Sequence, residues 1–434
     1  MERSCFRDDH TMMLLYNIVF LLGGVLSLPL IIAKVLTSDK RRKTVLNRLG
    51  SKAFDGVERE KPVWIHALSV GEVLAAVHLA KKIGPNRSVL LSVSTLTGHE
   101  TAKRLLNGSV ASIVFFPYDL IWSVRKAIRA VDPSVCVLVE SDIWPNFIHE
   151  AQRREIPVIL ANGRISPRSF RGYRRLSFFM KPVFSSISAI CAQTETDAKR
   201  FIAIGARKDR VKVTGNLKFD CKLMHLSGRE ISRLRASMGI GPRVSVLLAG
   251  STHEGEEKIL LKCFMVLKKS FSDLILVVVP RDPTRAYRIQ QMFERAGCPA
   301  SLKSELDETD GHDAPHAIVV DTMGELRQLY AIADIVFVGK SLVNLGGQNP
   351  LEPAAFKKPI IFGPHMFNFE LVAEMLIQQG GAVEVANEKE LMEQVKSLLL
   401  DSTRCETMGM KAYEVLGMNR GAVEKTLNVV ERFL

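Results

Sequence analysis

The stretch KPVWIHALSVGE, residues Lys61–Glu72, decides the fold of this chain. Its apolar run Val63–His66 is typical of a buried β-strand. The strand is expected to stop by Gly71, before a helix predicted from Glu72 to Lys82. In a parallel α/β sheet, ligands bind in the crevice outside the carboxyl ends of the strands. Glu72 is therefore either a general-base candidate at such an end or an ordinary acidic residue in the first turn of a helix, where the helix dipole favours it.

Short β-rich runs alternate with helical stretches along the rest of the chain, which indicates parallel α/β construction. Up to residue 220 the predicted strands are Val63–His66, Val89–Val93, Ser112–Phe116, Val135–Glu140, Val158–Asn162, Ala189–Ala192 and Val211–Val213. The predicted helices between them are Val73–Ile83, His99–Leu106, Ile121–Val131, Ile143–Arg153 and Thr196–Ile204. From residue 242 the predicted strands are Val244–Ala249, Leu274–Val279, Ala317–Asp321, Ile335–Val338, Pro359–Phe362 and Ala382–Val385.

The polar stretch Cys221–Gly241 interrupts this alternation and is predicted to be a linker. We expect an N-terminal anchor with a basic flank (1–45), a Rossmann-like domain (46–220), the linker (221–241), and a second Rossmann-like domain with C-terminal helices (242–434). Two similar halves joined by one linker are expected to leave a deep cleft between them. The acidic run Ser304–His316 is predicted to be a surface loop, in preference to a metal site that uses His312 and His316.

The first forty residues predict a membrane anchor. No charged side chain occurs from Met12 to Ala33, a run about long enough to cross a ~30 Å hydrocarbon layer as a helix. No small-x-small cleavage site follows, so an anchor is favoured over a cleaved signal peptide, and a helix lying in the membrane interface is the alternative. The positive-inside rule places the remaining chain in the cytoplasm, at the inner membrane, because basic residues gather after the run. They are Lys34, Lys40, Arg41, Arg42, Lys43 and Arg48.

Charge and cysteine content narrow the functional class. The formal net charge of +13 fits nucleic acid, an anionic membrane surface or an anionic substrate, and the predicted anchor favours an anionic lipid surface over nucleic acid. The arginine-rich stretch Arg164–Arg175 is either a solvated helix face or a site for phosphorylated lipid head groups, with Arg164 and Arg168 as candidates for acceptor binding. The seven scattered cysteines have no zinc spacing and indicate reduced thiols.

In the second half, the sequence predicts a phosphate-binding crevice at several strand ends. Ala249–Glu254 follows a strand and opens a helix, so it offers backbone N–H groups and the Ser251 hydroxyl to a phosphate. It has neither dinucleotide nor P-loop spacing, so NAD and ATP are poorly supported. Arg281 after Pro280 presents a guanidinium to the same crevice. The segment Asp321–Leu326 ends another strand with a glycine that permits close approach of a backbone.

The segment VNLGGQNPLEP, Val343–Pro353, leads from a strand into a helix. Gly346 and Gly347 leave room for a ligand and are candidates for the donor phosphate, and Glu352 can accept hydrogen bonds from the vicinal hydroxyls of a ribose. A glycine-rich turn with an ordinary acidic first turn accounts for this segment equally well. Three helix starts aimed into one crevice favour an anionic nucleotide.

Eight motifs together resemble the 3-deoxy-D-manno-octulosonic acid (Kdo) transferases of lipopolysaccharide synthesis. They are WIHALSVGE from Trp64, VESDIWPN from Val139, NGRIS from Asn162, GNLKFD from Gly215, GSTHEGEE from Gly250, PR at Pro280, MGEL from Met323 and GGQNPLEP from Gly346. The resemblance extends from about Trp64 to the C-terminus and includes the position of the anchor. It implies a GT-B glycosyltransferase whose N-terminal half holds a lipid A precursor and whose C-terminal half holds the CMP-sugar.

The resemblance also implies roles for matched residues. The family's general base matches Glu72, its second cleft carboxylate matches Glu140, and Lys218 matches a lysine thought to stabilise charge at the reacting centre. Two departures concern the donor phosphate: Gln348 stands where the family usually has His, and Asp282 where a His is common, and neither side chain can supply a cation. The residues that match the family's CMP contacts are Pro280, Arg281, Met323, Gly324, Glu325, Asn349, Pro350, Leu351 and Glu352.

Residue chemistry agrees with this resemblance. The hydroxyl of an acceptor sugar needs a carboxylate such as Glu72 to take its proton, and Lys218 with Arg281 can stabilise the phosphate of departing CMP. Direct attack implies inversion at the anomeric carbon, whereas a retaining double displacement would need a nucleophilic carboxylate beside that carbon. No strand-terminal DxD motif is present, in agreement with the family's metal-independent mechanism, and no cofactor is expected. The expected substrates are CMP-Kdo and a phosphorylated lipid A precursor, lipid IVA.

Two other functions remain open from the sequence. One is a sugar-nucleotide epimerase, or another GT-B transferase, that uses a UDP-sugar. The other is a non-catalytic anchored module that binds anionic lipid through its basic face. The role of Glu140 is also open: it can raise the pKa of the base, orient it, hold the acceptor, or form a structural ion pair at the strand end.

Overall fold

The structure is a computed structural model, and it describes residues 12–27, 45, 48, 54, 60–220, 224, 226–306 and 316–434. The chain divides into two compact units, which are Met1–Asp220 with Asn419–Leu434 (unit 1) and Cys221–Met418 (unit 2). Each unit is built on its own seven-stranded sheet in which all the strand pairs are parallel. The predicted pair of Rossmann-like domains is confirmed.

In unit 1 the strand order is β3-β2-β1-β4-β5-β6-β7. The strands are β1 (Val63–Ala67), β2 (Val89–Val93), β3 (Ser112–Phe115), β4 (Val135–Val139), β5 (Val158–Gly163), β6 (Ala189–Ala192) and β7 (Val211–Val213). The helices are α1 (12–27), α2 (Val70–Ile83), α3 (Leu96–Leu106), α4 (Ile121–Val131), α5 (Pro145–Arg153), α6 (Pro167–Arg175), α7 (Ser177–Ser186) and α8 (Glu195–Ala203). The strand order reverses between β1 and β4, and such a switch point is where open α/β sheets bind ligands.

In unit 2 the strand order is β10-β11-β9-β8-β12-β13-β14. The strands are β8 (Ser245–Thr252), β9 (Leu274–Pro280), β10 (Ala300–Leu302), β11 (Ala317–Val319), β12 (Ile335–Val338), β13 (Ile360–Phe362) and β14 (Ala382–Glu384). The helices before residue 402 are α9 (Gly228–Ala236), α10 (Glu256–Lys268), α11 (Ala286–Arg295), α12 (Lys303–Leu306), α13 (Leu326–Leu329), α14 (Leu351–Ala355), α15 (Glu370–Gln378) and α16 (Glu388–Leu400). The chain ends with α17 (Ser402–Met418) and α18 (Ala422–Val430). The switch point of this sheet lies between β8 and β12.

The central strands are buried along their whole length, as expected when helices cover both faces of a parallel sheet. Every residue of β1, β2 and β4 is buried. On one face of unit 1, Trp64 packs edge-on against Phe147, with ring centroids 5.2 Å apart, and also contacts Phe116. The predicted strands are all present, with ends that differ by a few residues at most.

Two expectations about the domain organisation were wrong. The predicted linker contains helix α9, which Ser227 and Glu230 start with a reciprocal capping box. The C-terminal segment, predicted to belong to the second domain, groups instead with unit 1. Asp220 explains this grouping, because its carboxylate accepts hydrogen bonds from the N–H groups of Gly421, at 2.6 Å, and Val423 at the start of α18. Strand β10, at the edge of the second sheet, was not predicted.

Helix α1 packs against unit 1 through one face. The Tyr16 hydroxyl donates to Asp119 at 3.0 Å, the Tyr16 ring stacks on Phe179, and the amides of Asn17 and Asn146 exchange two hydrogen bonds. Its other face exposes apolar side chains, namely Leu14, Leu15, Ile18, Val19, Leu21, Leu22, Val25 and Leu26. Within the described residues no helix has both the length and the apolar character that crossing a membrane requires. The run Met12–Ala33, predicted to be the anchor, extends beyond residue 27, the last described residue of α1. Residues 28–44, with most of the basic flank, lie outside the described part.

Candidate active site

Glu72 lies at the switch point of unit 1, in the first turn of α2 and directly beyond the end of β1. Its position therefore fits both interpretations, a carboxylate at a strand end and an acidic residue in the first turn of a helix. Its carboxylate accepts hydrogen bonds from the backbone N–H of Leu68 and, at 3.4 Å, from the hydroxyl of Ser69. Burial, together with the negative charges of Asp142 and Glu140, raises the pKa of Glu72 to about 8. A carboxylate whose pKa lies near neutrality suits a general base, since that value balances its availability against its basicity.

Glu140 and Lys218 form an ion pair beside Glu72. The Lys218 ammonium lies 2.8 Å from the Glu140 carboxylate, and a β-carbon placed on Gly71, next to Glu72, would lie 3.9 Å from the Lys218 Nζ atom. Glu140 directly follows β4 in the left-handed backbone region, with a φ of +65°. The three residues predicted to be catalytic therefore lie together at the same edge of the sheet, beyond the ends of different strands.

Asn162 holds Lys218 in this position. Its side-chain oxygen accepts the N–H of Leu217 at 2.9 Å, and its Nδ2 atom lies 3.4 Å from the Glu140 carboxylate. Asn216 caps the short 3-10 turn Leu217–Phe219 by accepting the N–H of Lys218. Leu217 is fully buried and fixes the turn against the sheet. The backbone around Lys218 is thus positioned by the strand ends and does not depend on a ligand.

The sequence analysis missed Asp142 and His66, which complete this cluster. The His66 Nε2 atom lies 3.5 Å from the Asp142 carboxylate, and its Nδ1 atom lies 3.1 Å from the Ser92 hydroxyl. The Trp64 indole donates to the same hydroxyl at 2.8 Å. Burial lowers the pKa of His66, so the ring is neutral at pH 7. The Nδ1 atom also lies 3.1 Å from the carbonyl oxygen of Ser92, so a proton on Nδ1 would be donated there, whereas a proton on Nε2 would face Asp142.

The two arginines predicted to bind the acceptor lie after β5, close to this strand end. The carbonyl oxygen of Arg164 accepts a hydrogen bond from the hydroxyl of Ser141, the residue that follows Glu140. Arg168 is exposed on α6, a helix with no buried residue. Arg164 therefore borders the cluster, whereas Arg168 belongs to a solvated basic face, and the acceptor role of both remains a prediction.

In unit 2 the ends of β8 and β12 approach each other closely at the switch point. A β-carbon on Gly250 would lie 2.6 Å from the Tyr330 hydroxyl, and one on Gly339 would lie 2.6 Å from the carbonyl oxygen of Ser251. Glycine is required at both positions for this packing. Ser251 itself adopts a φ of +55°. This close approach joins parts of the protein, whereas a β-carbon on Gly324, the glycine predicted to permit close approach, would meet no atom within 4 Å.

The expectation of free N–H groups at the helix tip of Ala249–Glu254 was wrong for His253. The fully buried Glu256 accepts hydrogen bonds from the N–H groups of His253 and Lys340 with one carboxylate oxygen, at 2.9 and 2.7 Å, and from Ser341 and Leu342 with the other, at 2.9 and 3.1 Å. The N–H of Gly347, a candidate for the donor phosphate, is also occupied. It donates to the carbonyl oxygen of Lys340 at 2.8 Å. Roles for Ser251 and Gly346 remain predictions.

The residues predicted to contact CMP come from the ends of separate strands. Arg281 follows Pro280, the last residue of β9, and its N–H donates to the carbonyl oxygen of Thr252 at 3.0 Å. The charges of Arg281 and Arg327 oppose the burial that raises the pKa of Glu352, so Arg281 and Glu352 are neighbours although they are distant in sequence.

The remaining residues predicted to contact CMP lie in two segments, one just before α13 and one at the start of α14. Gly324 has a φ of +88°, the adjacent Met323 is largely exposed, and Glu325 lies 3.3 Å from the ammonium of Lys303. Asn349 accepts the N–H of Leu351 at 3.1 Å, and Pro350 starts α14. Among the residues that the structure describes, no group of three or more His, Cys, Asp or Glu side chains is arranged to hold a metal ion. His312 of the predicted acidic loop lies outside that part.

Known proteins resemble this chain in sequence and in fold. Residues 43–221 match the family model described as 3-deoxy-D-manno-octulosonic-acid transferase. The 3-deoxy-D-manno-octulosonic acid transferase of Haemophilus influenzae is 35% identical over 92% of this chain and 93% of its own length. That of Bordetella pertussis is 30% identical over 86% of this chain and 87% of its own. A glycosyltransferase structure from Rickettsia africae superimposes with a TM-score of 0.56, at 14% identity, over 86% of this chain and 98% of that chain; at this identity the likeness shows the fold alone.

Proposed function

The chain belongs to the Kdo transferase family and is a glycosyltransferase of lipopolysaccharide synthesis, and we propose that it transfers Kdo from CMP-Kdo to a phosphorylated lipid A precursor, lipid IVA. The observation that carries the proposal is Glu72. It combines a strand-end position with a pKa of about 8 and lies beside the Lys218–Glu140 ion pair. A module that only binds lipid has no need of a carboxylate with a perturbed pKa at a switch point.

In the proposed reaction, Glu72 accepts the proton of an acceptor hydroxyl as that oxygen forms a bond to the anomeric carbon of Kdo. The bond from that carbon to the phosphate oxygen of CMP breaks, and its electron pair remains on the phosphate. The configuration at the anomeric carbon inverts because one displacement occurs. No metal ion takes part in this scheme, and the proton has a single destination, the Glu72 carboxylate.

Lys218 is proposed to stabilise negative charge as the reaction proceeds. The Lys218 side chain is 17% exposed, and its ammonium lies 2.8 Å from the Glu140 carboxylate. Glu140 can therefore hold the ammonium in a fixed orientation. Electrostatic stabilisation by a group that is already fixed in position costs no reorganisation during the reaction. Glu140 therefore acts on Lys218 and, through its own negative charge, on the pKa of Glu72.

Unit 2 is proposed to hold the CMP moiety. Arg281 supplies a cation for the donor, and Glu352, partly buried beside it, suits the vicinal hydroxyls of the ribose. A UDP-sugar is the alternative donor, and a thermal-shift experiment separates the two. We expect CMP to raise the melting temperature, because a ligand that binds only the folded state stabilises it, and we expect UDP to leave it unchanged. The reverse result would replace the proposed donor.

The enzyme is further proposed to work on the inner membrane with its two units in the cytoplasm. The exposed apolar face of α1 and the arginines of α6 both belong to unit 1, and such a combination suits a surface of anionic lipid. Co-sedimentation with vesicles that contain phosphatidylglycerol tests this point. Binding that is lost when Leu15 and Leu22 are both changed to Ser supports it, and binding that survives the change contradicts it.

The decisive experiment for the activity uses the full chain with CMP-Kdo, generated in place, and tetraacylated lipid A precursor. Mass spectrometry of the lipid product should show the addition of Kdo. A parallel reaction with UDP-N-acetylglucosamine as the donor should show none. Absence of any Kdo addition, with an enzyme that is folded and binds CMP, would contradict the proposed function.

A further inference from the structure

Lys340 adopts a backbone conformation that its own side chain disfavours. It directly follows β12 with a φ of +64°, a region that residues other than Gly, Asn and Asp rarely enter. Its N–H donates to Glu256 at 2.7 Å and its carbonyl oxygen accepts the N–H of Gly347 at 2.8 Å. A glycine would form both of these backbone bonds without strain. We therefore expect the lysine side chain to have a function that outweighs the strain of its backbone.

Lys340 lies in a cluster of cations at the switch point of unit 2. The pKa of Lys340 is lowered, first by burial and then by the charge of Arg281. The pKa of His253 is lowered by burial and by the charges of Lys340, Arg285 and Arg281. Arg285 is neutralised by Glu257, which it contacts at 2.9 and 3.2 Å. In the described part of the chain, no carboxylate forms an ion pair with Lys340 or Arg281.

The polar groups around this cluster leave the lysine as the group best suited to bind an anion. Glu256 and the Lys340 carbonyl already occupy nearby N–H groups, and Gln348, whose Nε2 atom lies 3.4 Å from the His253 Nε2 atom, carries no charge. The fully buried hydroxyl of Thr252, beside His253, has no hydrogen-bond partner among the described residues. A buried hydroxyl left without a partner independently indicates that a polar ligand or water completes the site.

We propose that Lys340, together with Arg281, forms the anion-binding part of the donor site and binds an anionic oxygen of the CMP-sugar. This inference rests on the proposed donor, which carries two such groups: the phosphate of the nucleotide and the carboxylate of Kdo. A strained backbone is maintained at this position because the ammonium is needed for binding, not for folding.

The experiment compares three variants, K340M, K340R and K340G, by calorimetric titration with CMP and with cytidine and by the KM for CMP-Kdo. We expect K340M to weaken CMP binding about tenfold, as loss of one charge-assisted hydrogen bond predicts, and to leave cytidine binding unchanged. K340R should restore binding to within about threefold. K340G should weaken CMP binding as K340M does, yet raise the melting temperature, because glycine relieves the backbone strain.

The phosphate and the carboxylate of CMP-Kdo predict different results, and either result supports the proposal. If the phosphate is the partner, CMP binding and the KM for CMP-Kdo change together. If the carboxylate is the partner, K340M leaves CMP binding unchanged but raises the KM for CMP-Kdo about tenfold. The proposal is overturned if K340M leaves both quantities within twofold of wild type, or if K340G raises the melting temperature while both CMP binding and the KM for CMP-Kdo stay within twofold of wild type.

Lys357 provides a matched control. It is also a lysine of unit 2 with a positive φ, +57°, but its ammonium lies over the Tyr413 ring. K357G should raise the melting temperature and leave CMP binding unchanged. The proposed function fails separately: a wild type that binds UDP and not CMP contradicts the donor, and the same variants are then compared with UDP as the probe for the anion site.

Discussion

The two units share one topology but place opposite charges at their switch points. In unit 1, the charges of Glu140 and Asp142 act on Glu72, and the ammonium of Lys218 pairs with Glu140. In unit 2, Arg281, Lys340 and His253 lie close together, and Glu256 is turned inward to hold the backbone. Because the folds are alike, the difference arises from a few residues just beyond the strands. The acidic end suits removal of a proton, and the basic end suits an anionic donor.

Both units also store backbone strain at the same kind of place. Glu140 and Asn162 in unit 1, and Ser251 and Lys340 in unit 2, have positive φ angles at or just after the ends of strands. Such conformations persist only where surrounding contacts enforce them. Four other residues with a positive φ, namely Lys61, Asp132, Glu155 and Lys357, lie just before strands, so this conformation does not by itself mark the functional edge of a sheet.

The largest effect that separates the two units is expected for Glu72→Gln. The variant keeps the size of the side chain but cannot accept a proton, so kcat should fall about a thousandfold, within the range for loss of a general base. CMP binding, assigned to unit 2, should stay within twofold of wild type. Kdo transfer and calorimetric CMP titration measure the two quantities. The exposed Glu100→Gln, on α3, is the control and should lose neither. A joint loss of transfer and CMP binding would mean that Glu72 is not specific to the proton-transfer step.

Glu256→Gln tests the structural carboxylate of unit 2. An amide retains one acceptor oxygen but turns its NH₂ group toward backbone N–H donors, so we expect a loss of about 2–4 kcal/mol of unfolding free energy. Chemical denaturation followed by circular dichroism measures it. Glu254→Gln is the matched control, because Glu254 is exposed and paired only with the exposed Arg288 at 3.4 Å; its expected cost is about 0–1 kcal/mol. Equal effects of the two changes would refute the role of Glu256.

Asp142→Asn tests how unit 1 sets the pKa of Glu72, the proposed base. The groups around Glu72 are Glu140 with its partner Lys218, and Asp142 with the neutral His66 behind it. Asp142 raises the pKa of Glu72, and the base works only when it is deprotonated. Removal of that negative charge should lower the pKa and move the acid limb of the kcat/KM profile from near pH 8 to lower pH by about one unit.

The pH profile has a control in the same unit. Asp132 is exposed and has a φ of +46°, which asparagine tolerates, so Asp132→Asn should not move the acid limb. An acid limb that stays in place in Asp142→Asn, or that moves to higher pH, would show that Asp142 does not set the pKa of Glu72.

Part of this arrangement could be predicted from sequence. The end of a strand pointed to Glu72, whereas Glu140 and Lys218 were implied by the resemblance to the Kdo transferases, and the structure brings all three together. His66 could not be found in this way. It lies inside a fully buried strand, where alternation does not indicate which face a side chain occupies.

Other features depended on contacts that no local pattern reveals. Glu256 has the sequence signature of an ordinary acidic residue in a first helical turn, and only the fold brings the N–H groups of 340–342 to it. Helix α18 buries Ala422, Val423, Val429 and Val430 in the core of unit 1, and Asp220 accepts N–H groups at its start, contacts that join segments distant in sequence. Helix α9 has no buried residue, so its polar composition resembled that of a linker.

The smallest expected effect concerns α9, the helix in the segment predicted to be a linker. Ser227 caps it by accepting the N–H of Glu230 at 3.3 Å, and Arg235 ties it to unit 2 by donating to the carbonyl oxygens of Ile332 and Gly241 at 3.0 and 2.9 Å. Because a helix that is part of unit 2 transmits the loss of its cap, Ser227→Ala should lower the unfolding free energy of that unit by about 1 kcal/mol. Ser237→Ala, at the other end of the helix, should cost less. If α9 were a free linker, Ser227→Ala would leave the denaturation midpoint unchanged. The rate of Kdo transfer should be the same in Ser227→Ala as in wild type, whether or not α9 is part of unit 2.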